Sequence, residues 1–131
     1  MVTSNLYHYY SVIVPSFNRA DEIRKLLDSF KHVAFPRDRF ELIIADDGSQ
    51  DGTESLVQNK IEETDITLRY FSQQNKGPGA ARNMGMQNAK GDFFIFIDSD
   101  VTLAPDWLAK IDQQVNAARA DAFGGPDTYR D

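Results

Sequence analysis

Cysteine is absent from the 131-residue chain, so neither a disulfide framework nor a thiolate metal site can form. Long apolar segments are absent too: the longest unbroken run is FFIFI at positions 93–97, far short of a membrane span. The first ten residues, MVTSNLYHYY, contain no stretch long enough for a signal peptide. These absences predict a protein of a reducing compartment without a transmembrane segment in this chain. We expect a cytoplasmic location, with a peripheral position at the inner face of the membrane as the alternative.

Positive charge is in the minority. The chain has 14 Lys and Arg against 20 Asp and Glu, a formal net charge of -6, and this balance argues against nucleic acid as a partner. An acidic chain can still bind a metal ion, or an anionic ligand through that metal ion. The composition, 41% hydrophobic and 26% charged, is that of a globular protein, and the length suits one domain.

Strand and helix patterns alternate along the chain. Short β-branched or aromatic runs predict strands, and apolar residues at helical spacing, such as Ile23, Leu26 and Phe30, predict helices between them. The predicted strands cover residues 10–16, 40–45, 66–72 and 92–98, with a fifth opening at residue 122. The predicted helices lie within residues 17–33, 53–63, 80–89 and 103–120. This order predicts an α/β fold: a mostly parallel, Rossmann-like sheet with helices on both faces.

Polar residues follow three of the predicted strands. Pro15 lies at the end of the first, Asp46 and Asp47 follow the second, and the fourth, read as a buried strand, runs into Asp98 and Asp100. Because the carboxyl ends of parallel strands share one edge of the sheet, we expect these residues to meet in one crevice. Acids far apart in sequence would then face the same ligand.

Each polar segment also has an alternative explanation. Asp98 and Asp100 are two residues apart, so an extended chain would point both carboxylates to one side, where Mg²⁺ or Mn²⁺ could bind together with substrate phosphates. The alternative is a solvated acidic turn that caps the next helix. For Asp46 and Asp47 the alternative is an ordinary strand-to-helix loop. The glycine-rich segment KGPGAARN, residues 76–83, leads into a helix whose N-terminus would attract phosphate. The alternative is that Arg82 is simply an exposed helix residue.

Three segments, taken together and in order, carry a family resemblance. VIVPSFNR, LIIADDGSQDGT and NKGPGAARNMGMQNAKGDFFIFIDSD resemble the family 2 inverting glycosyltransferases from about residue 10 to residue 125. The resemblance implies a GT-A nucleotide-sugar-binding domain over residues 10–131, after an N-terminal extension of residues 1–9. It also implies metal-assisted hexosyl transfer, with inversion, in polysaccharide biosynthesis. The donor would be a nucleoside-diphosphate sugar, with UDP favoured, and the acceptor a saccharide or a lipid-linked molecule.

The resemblance also implies roles for individual residues. Pro15 and Phe17 would lie by the nucleobase, an acid of the Asp46–Asp47 pair would hydrogen-bond the base, and Asp100 would be the ligand of Mn²⁺ or Mg²⁺. The residues implied to bind the nucleotide sugar are Pro15, Phe17, Asp46, Asp47, Gly77, Arg82, Asn83, Asp98 and Ser99.

The chain departs from the family pattern after Asp100. Family members continue with acceptor-binding strands and an acid that serves as general base, whereas Asp106 and Asp112 here belong to a helix and are expected to face water. We therefore expect the acceptor part to be missing and the base to lie beyond Asp131. One alternative is a non-catalytic nucleotide-sugar-binding fragment. Another is a haloacid-dehalogenase-type phosphatase, because IFIDSDVTL resembles its nucleophile motif. The oligomeric state is left open.

Overall fold

The computed structural model describes residues 7–124, and side chains as far as residue 118. Its elements alternate as predicted. In chain order they are β1 (Tyr10–Ser16), α1 (Ala20–Phe30), a short 3₁₀ turn (Arg37–Arg39), β2 (Phe40–Asp46), α2 (Thr53–Glu63), β3 (Thr67–Ser72), α3 (Pro78–Asn88), β4 (Phe93–Phe96) and α4 (Trp107–Gly124). The fifth strand predicted from residue 122 is wrong as far as residue 124, because α4 continues through Gly124. The remainder of that segment, from Gly125, lies outside the described residues.

The four strands form one parallel sheet in the order β3-β2-β1-β4. β1 pairs along its whole length with β2, from Tyr10 opposite Phe40 to Ser16 opposite Asp46, and β4 pairs with the first part of β1. The chain therefore moves outward from β1 to β3 on one side and then crosses to the other side of β1. This reversal is the point at which parallel α/β sheets bind ligands, beyond the carboxyl ends of the strands.

Helices cover both faces of the sheet, which confirms the predicted fold class. On one face the buried core joins β1 and β2 to α1, α2 and α4 through residues such as Val12, Leu26 and Leu108. On the other face α3 packs on Ile13 and Ile43. That approach is close: a Cβ added to Gly85 would lie 2.6 Å from Cγ2 of Ile13. Only glycine allows α3 to lie so near the sheet.

The aromatic strand β4 lies at an edge of the sheet, where it differs from the prediction of a buried strand. Phe94 and Phe96 are each 42% exposed. In register they pair with Ser11 and Ile13, which puts them on the face that α3 covers over β1, β2 and β3. An apolar run can be buried on both faces only if both faces are covered. The sheet order, which the run itself does not reveal, decides that β4 is covered on one face.

A buried ion pair lies beneath the C-terminal end of α3. Glu41 on β2 is fully buried and accepts hydrogen bonds from Arg69 (2.8 Å), the Ser11 hydroxyl (2.6 Å) and the backbone N–H of Lys90 (2.8 Å). Arg69 also donates to the Asn88 carbonyl at 2.8 Å. These bonds attach the end of α3 to the sheet, and they explain how an acid is accommodated inside an apolar strand.

A second polar cluster corrects the prediction that Asp112 faces water. Its carboxylate is 15% exposed and pairs with Arg39 at 3.0 Å. It also accepts a hydrogen bond of 2.6 Å from the hydroxyl of Tyr10, at the start of β1. Burial, together with this bond to Asp112, raises the pKa of Tyr10. Asp112 therefore anchors α4 to the amino-terminal edge of the sheet. Asp106, by contrast, is exposed as predicted.

Candidate functional site

A cleft of about 400 Å³ opens at the carboxyl edge of the sheet, where β1 and β2 end and α3 begins. The convergence expected from the strand ends is present, because Pro15, Asp47 and Asp98 all line this one cleft. Of the residues that the sequence predicted for the site, those that line the cleft are Pro15, Phe17, Asp47, Gly77, Arg82, Asp98 and Ser99. Their contribution to binding stays a prediction, since the structure places them without a ligand.

Three predicted site residues are not part of the cleft lining. Asp46 is buried at the end of β2, where it accepts hydrogen bonds from the hydroxyls of Tyr70 and Ser49. It stabilises the loop, and its neighbour Asp47 is the acid of the pair that lines the cleft. Asn83 on α3 and Asp100 after β4 are both exposed outside the lining.

Asp47 joins two loops at the floor of the cleft. One carboxylate oxygen accepts bonds from the Gln73 amide (2.8 Å) and the Lys76 N–H (2.7 Å), and the other accepts from the Gly77 N–H (2.9 Å). Burial by itself would raise the pKa of Asp47, but these donors more than offset it and hold the pKa below its usual value. Asp47 is therefore ionised at neutral pH and orients the segment that leads into α3.

The beginning of α3 is suited to an anion. Gly77 has φ of 101° and Pro78 occupies the first turn, so the chain enters the helix with its first N–H groups free of helical partners. Gly77, Pro78 and Arg82 all line the cleft. A helix N-terminus carries partial positive charge, and phosphate binds there readily. Arg82 adds a full positive charge to the lining of the same cleft.

Two loops beside this cleft are joined by hydrogen bonds. Asn18, in the left-handed region with φ of 53°, receives the Gln50 N–H on its side-chain oxygen (2.9 Å) and donates its own N–H to the Ser49 hydroxyl (2.7 Å). A second, more open cleft of about 640 Å³ adjoins the first across Phe17 and Asn75. Phe17, 41% exposed, thus presents an aromatic face between the two clefts.

Residues that the sequence analysis did not select also line the cleft. They are Ser16, Arg19, Asn75, Pro78 and Ala81. Arg19 brings a second positive charge to the cleft that Arg82 also lines. A signal for Arg19 exists in the sequence, since it lies two residues after Phe17 in the same strand-to-helix loop. Loop residues of that kind are frequent in binding sites on α/β folds.

The acidic segment after β4 has the donor set for a hard divalent cation, although it is incomplete. Asp98 and Asp100 are exposed, and within residues 7–118 neither carboxylate takes part in an ion pair or side-chain hydrogen bond. No cluster of three or more His, Cys, Asp or Glu able to hold a metal occurs in the described part of the chain. Two carboxylates fit Mn²⁺ or Mg²⁺ when ligand phosphates and water supply the other oxygens.

Comparison with known proteins assigns the family. The model of Glycosyl transferase family 2 matches residues 11–130. The chain belongs to glycosyl transferase family 2. The GT-A fold of this family accounts for the four-stranded parallel sheet and the helices that flank it.

Relatives of this family 2 domain are longer than the chain. It is 39% identical over 116 residues to GalNAc(5)-diNAcBac-PP-undecaprenol beta-1,3-glucosyltransferase of Campylobacter jejuni, covering 87% of this chain and 37% of that protein. It is 35% identical over 91 residues to poly(ribitol-phosphate) beta-N-acetylglucosaminyltransferase TarS of Staphylococcus aureus, covering 70% of this chain and 16% of that protein. The chain thus spans about a third, or less, of the length of these relatives.

Solved structures show the same domain. TarS residues 1–349 of S. aureus in complex with UDP-GlcNAc superpose with a TM-score of 0.77 at 31% identity, covering 85% of this chain and 32% of that one. The mannosyltransferase PcManGT from Pyrobaculum calidifontis, in complex with GDP-Man and Mn²⁺, gives a TM-score of 0.75 at 29% identity, covering 83% and 32%. These matches confirm the GT-A fold. Among the helices between residues 7 and 124, none combines the length and apolarity needed to cross a membrane.

Proposed function

We propose that the cleft binds a nucleoside-diphosphate sugar, a UDP-sugar by preference, and that the chain is the donor-binding part of an inverting glycosyltransferase. The observation that carries this proposal is the meeting of Phe17, Asp47 and Asp98 in one cleft of a family 2 domain. Structural neighbours of the same fold were solved with UDP-GlcNAc and with GDP-Man and Mn²⁺. The acceptor would be a saccharide or a lipid-linked molecule, as the undecaprenol in one relative's name suggests.

The lining residues have chemistry for each part of such a donor. Phe17 offers a flat apolar surface on which a nucleobase can stack. Asp47, kept ionised by its donors, still has lone pairs to accept a base N–H. Arg19, Arg82 and the N-terminus of α3 line the same cleft and would neutralise the diphosphate.

Asp98 and Asp100 would serve the leaving group. We assign Asp98 to the nucleotide side, because it lines the cleft, and Asp100 to the cation. When bound, Mn²⁺ or Mg²⁺ would stabilise the charge that develops on the diphosphate as the bond to the sugar breaks. Within residues 7–118, the carboxylates of Asp98 and Asp100 have no ion pair or side-chain hydrogen bond, so both are available to the donor and its cation.

The general base belongs to the acceptor side of the reaction. The acceptor hydroxyl attacks the anomeric carbon and loses its proton to a carboxylate, while the nucleoside diphosphate leaves. Asp106 is exposed outside the cleft and Asp112 is engaged by Arg39 and Tyr10. Asp121 has no described side chain, and Asp127 and Asp131 lie outside the described residues. Because neither Asp106 nor Asp112 is placed to take that proton, we propose that the base comes from sequence after Asp131.

A non-catalytic donor-binding module is the second candidate, and the favouring observation is that neither Asp106 nor Asp112, the acids of the described part of α4 and the turn before it, is placed to act as a base. Membership of family 2 removes the phosphatase alternative, because the family model and a GT-A structure both match most of the chain. The glycosyltransferase and the non-catalytic module would both bind the donor, and they differ only in whether the sugar is transferred.

Titration calorimetry tests donor binding. UDP, UDP-GlcNAc, GDP and GDP-mannose are titrated into the chain in Mn²⁺ and in EDTA. We expect UDP compounds to bind more tightly than GDP compounds, with at least tenfold tighter binding in Mn²⁺. Asp100→Ala should abolish the Mn²⁺ enhancement, whereas Asp106→Ala, an exposed acid outside the cleft, should leave it intact.

Two outcomes would overturn parts of this proposal. Equal UDP affinity in Mn²⁺ and EDTA would remove Asp100 from its role, and no binding of any nucleotide would refute the donor site. Sugar transfer is then measured with the same donor and a polyprenyl-diphosphate saccharide acceptor, comparing this chain with a version carrying downstream sequence. Comparable turnover would place the base within these 131 residues.

A further inference from the structure

The hydroxyl of Ser99, the middle residue of the acidic segment, is hydrogen-bonded to a helix of the protein. Its side chain is 9% exposed, and its hydroxyl donates a 2.7 Å hydrogen bond to Oε1 of Glu22. Glu22 lies in the first turn of α1, 77 residues earlier in the chain. The sequence resemblance implied that Ser99 contacts the nucleotide sugar directly, whereas this bond gives its hydroxyl a protein partner.

Few contacts hold the acidic segment in place. Before it, the Ile97 N–H donates to the Ile13 carbonyl at 3.1 Å, and after it the Val101 N–H reaches the Asp98 carbonyl at 3.4 Å. Between these points the carboxylates of Asp98 and Asp100 are exposed. Within residues 7–118, the bond from Ser99 to Glu22 is the side-chain hydrogen bond that connects residues 98–100 to another element.

Glu22 is a firm point of attachment. The next residue, Ile23, is fully buried, and α1 also buries Leu26 and Phe30 against the sheet. The N-terminus of α1 is fixed as well, because the Ala20 N–H donates to Asp51 at 3.0 Å. A side chain one turn into such a helix has little freedom to follow a moving loop, so it can restrain one.

Glu22 also lies near Arg19, a residue of the cleft lining. Its Oε1, the atom that accepts from Ser99, lies 3.7 Å from Nε of Arg19, and Arg19 lines the cleft. Oε1 of Glu22 thus contacts both the Arg19 guanidinium and the Ser99 hydroxyl.

We propose that Glu22 is a positioning residue. Through Ser99 it holds Asp98 and Asp100 in the orientation in which they receive a divalent cation and its diphosphate. The inference rests on the proposed donor-binding function, and it assigns to Ser99 a tethering role in place of a direct contact with the donor.

The first test needs no ligand. Amide hydrogen exchange is followed in the wild-type chain, in Glu22→Ala and in Glu54→Ala. Glu54 is a matched control, since it is an exposed glutamate in the first turn of α2. Glu22→Ala should speed exchange in peptides covering residues 98–101 several-fold and leave those covering β1 and β2 unchanged. Unchanged exchange in residues 98–101 would overturn the tether.

The second test measures binding of UDP by calorimetry in Mn²⁺ and in EDTA. Loss of one hydrogen bond to a charged group predicts about tenfold weaker UDP binding in Mn²⁺ for Glu22→Ala and for Ser99→Ala. Affinity in EDTA should not change, because base and ribose contacts are untouched. Glu22→Gln keeps an oxygen acceptor and should retain most of the wild-type affinity. The double variant should bind no more weakly than either single variant.

The outcomes separate this inference from the proposed function. If Mn²⁺ does not strengthen UDP binding to the wild-type chain, the proposed metal role of Asp100 fails, and if no nucleotide binds, the donor site fails; in both cases the exchange experiment still decides the tether. If Mn²⁺ strengthens binding equally in wild type and Glu22→Ala, the positioning role is refuted and the donor site stands. Equal weakening in EDTA and in Mn²⁺, or additive losses in the double variant, would show a merely structural effect and overturn the inference.

Discussion

Removing Glu41 should destabilise the fold more than any exposed substitution. Its fully buried carboxylate has three donors, from Arg69, Ser11 and Lys90. Breaking a buried ion pair costs about 3–5 kcal/mol, because the remaining charge and donors lose their partner. In the variant, Arg69 keeps its hydrogen bond to the Asn88 carbonyl and is 24% exposed, so water can partly solvate its charge. We therefore expect Glu41→Leu to lower the free energy of unfolding by about 3 kcal/mol, the lower end of that range.

The pH dependence of a second variant, Glu41→Gln, gives an independent check. Burial alone would raise the pKa of Glu41, but the bonds from Ser11, Lys90 and Arg69 outweigh it and lower that pKa. A depressed pKa stabilises the fold above the ordinary glutamate value, and this contribution disappears as the pH falls through the depressed value. The difference between wild type and Glu41→Gln should therefore be largest near neutrality and shrink below about pH 4.

Urea unfolding, followed by circular dichroism, measures both effects. The double variant Glu41→Leu/Arg69→Met should lose less stability than the sum of the two single variants, because it leaves no unpaired charge. Glu62→Gln, on the exposed side of α2, is the control and should change stability by less than about 0.5 kcal/mol. A loss below about 1 kcal/mol for Glu41→Leu would refute the reasoning that the buried pair anchors the end of α3.

Three further predictions concern packing, the cleft and the open edge. Gly85→Ala puts a Cβ 2.6 Å from Ile13 Cγ2 and should destabilise the fold by about 1–3 kcal/mol; a wild-type urea midpoint would contradict this. Asp47→Ala removes three hydrogen bonds and should lower both stability and UDP affinity, with the stability loss fading below about pH 4; calorimetry and urea unfolding at pH 7 and pH 3 check it. The exposed Phe94 and Phe96 on the edge strand β4 predict self-association of the chain, and Phe96→Lys should reduce it in sedimentation experiments; a wild-type chain that stays monomeric, or unchanged association of the variant, would contradict this.

Much of the site could be predicted from sequence because the order of elements sets where strand ends lie. Apolar runs alternating with helical periodicity predicted the four described strands to within one or two residues at most boundaries. Parallel pairing then required Pro15, Asp47 and Asp98 to share one edge. These conclusions depend on local pattern and chain connectivity, and both are present in the linear sequence.

The tertiary structure alone decided which acid of a pair serves the cleft and which side chains pair across the fold. Asp46 and Asp47 are adjacent, but Asp46 is bound by Tyr70 and Ser49, and Asp47 lines the cleft. The partners of Asp112 and Ser99 lie 102 and 77 residues away, beyond any local pattern. The exposure of Phe96 follows from the place of β4 at the sheet edge. Local sequence determines which elements form, whereas burial and pairing depend on which elements are neighbours in space.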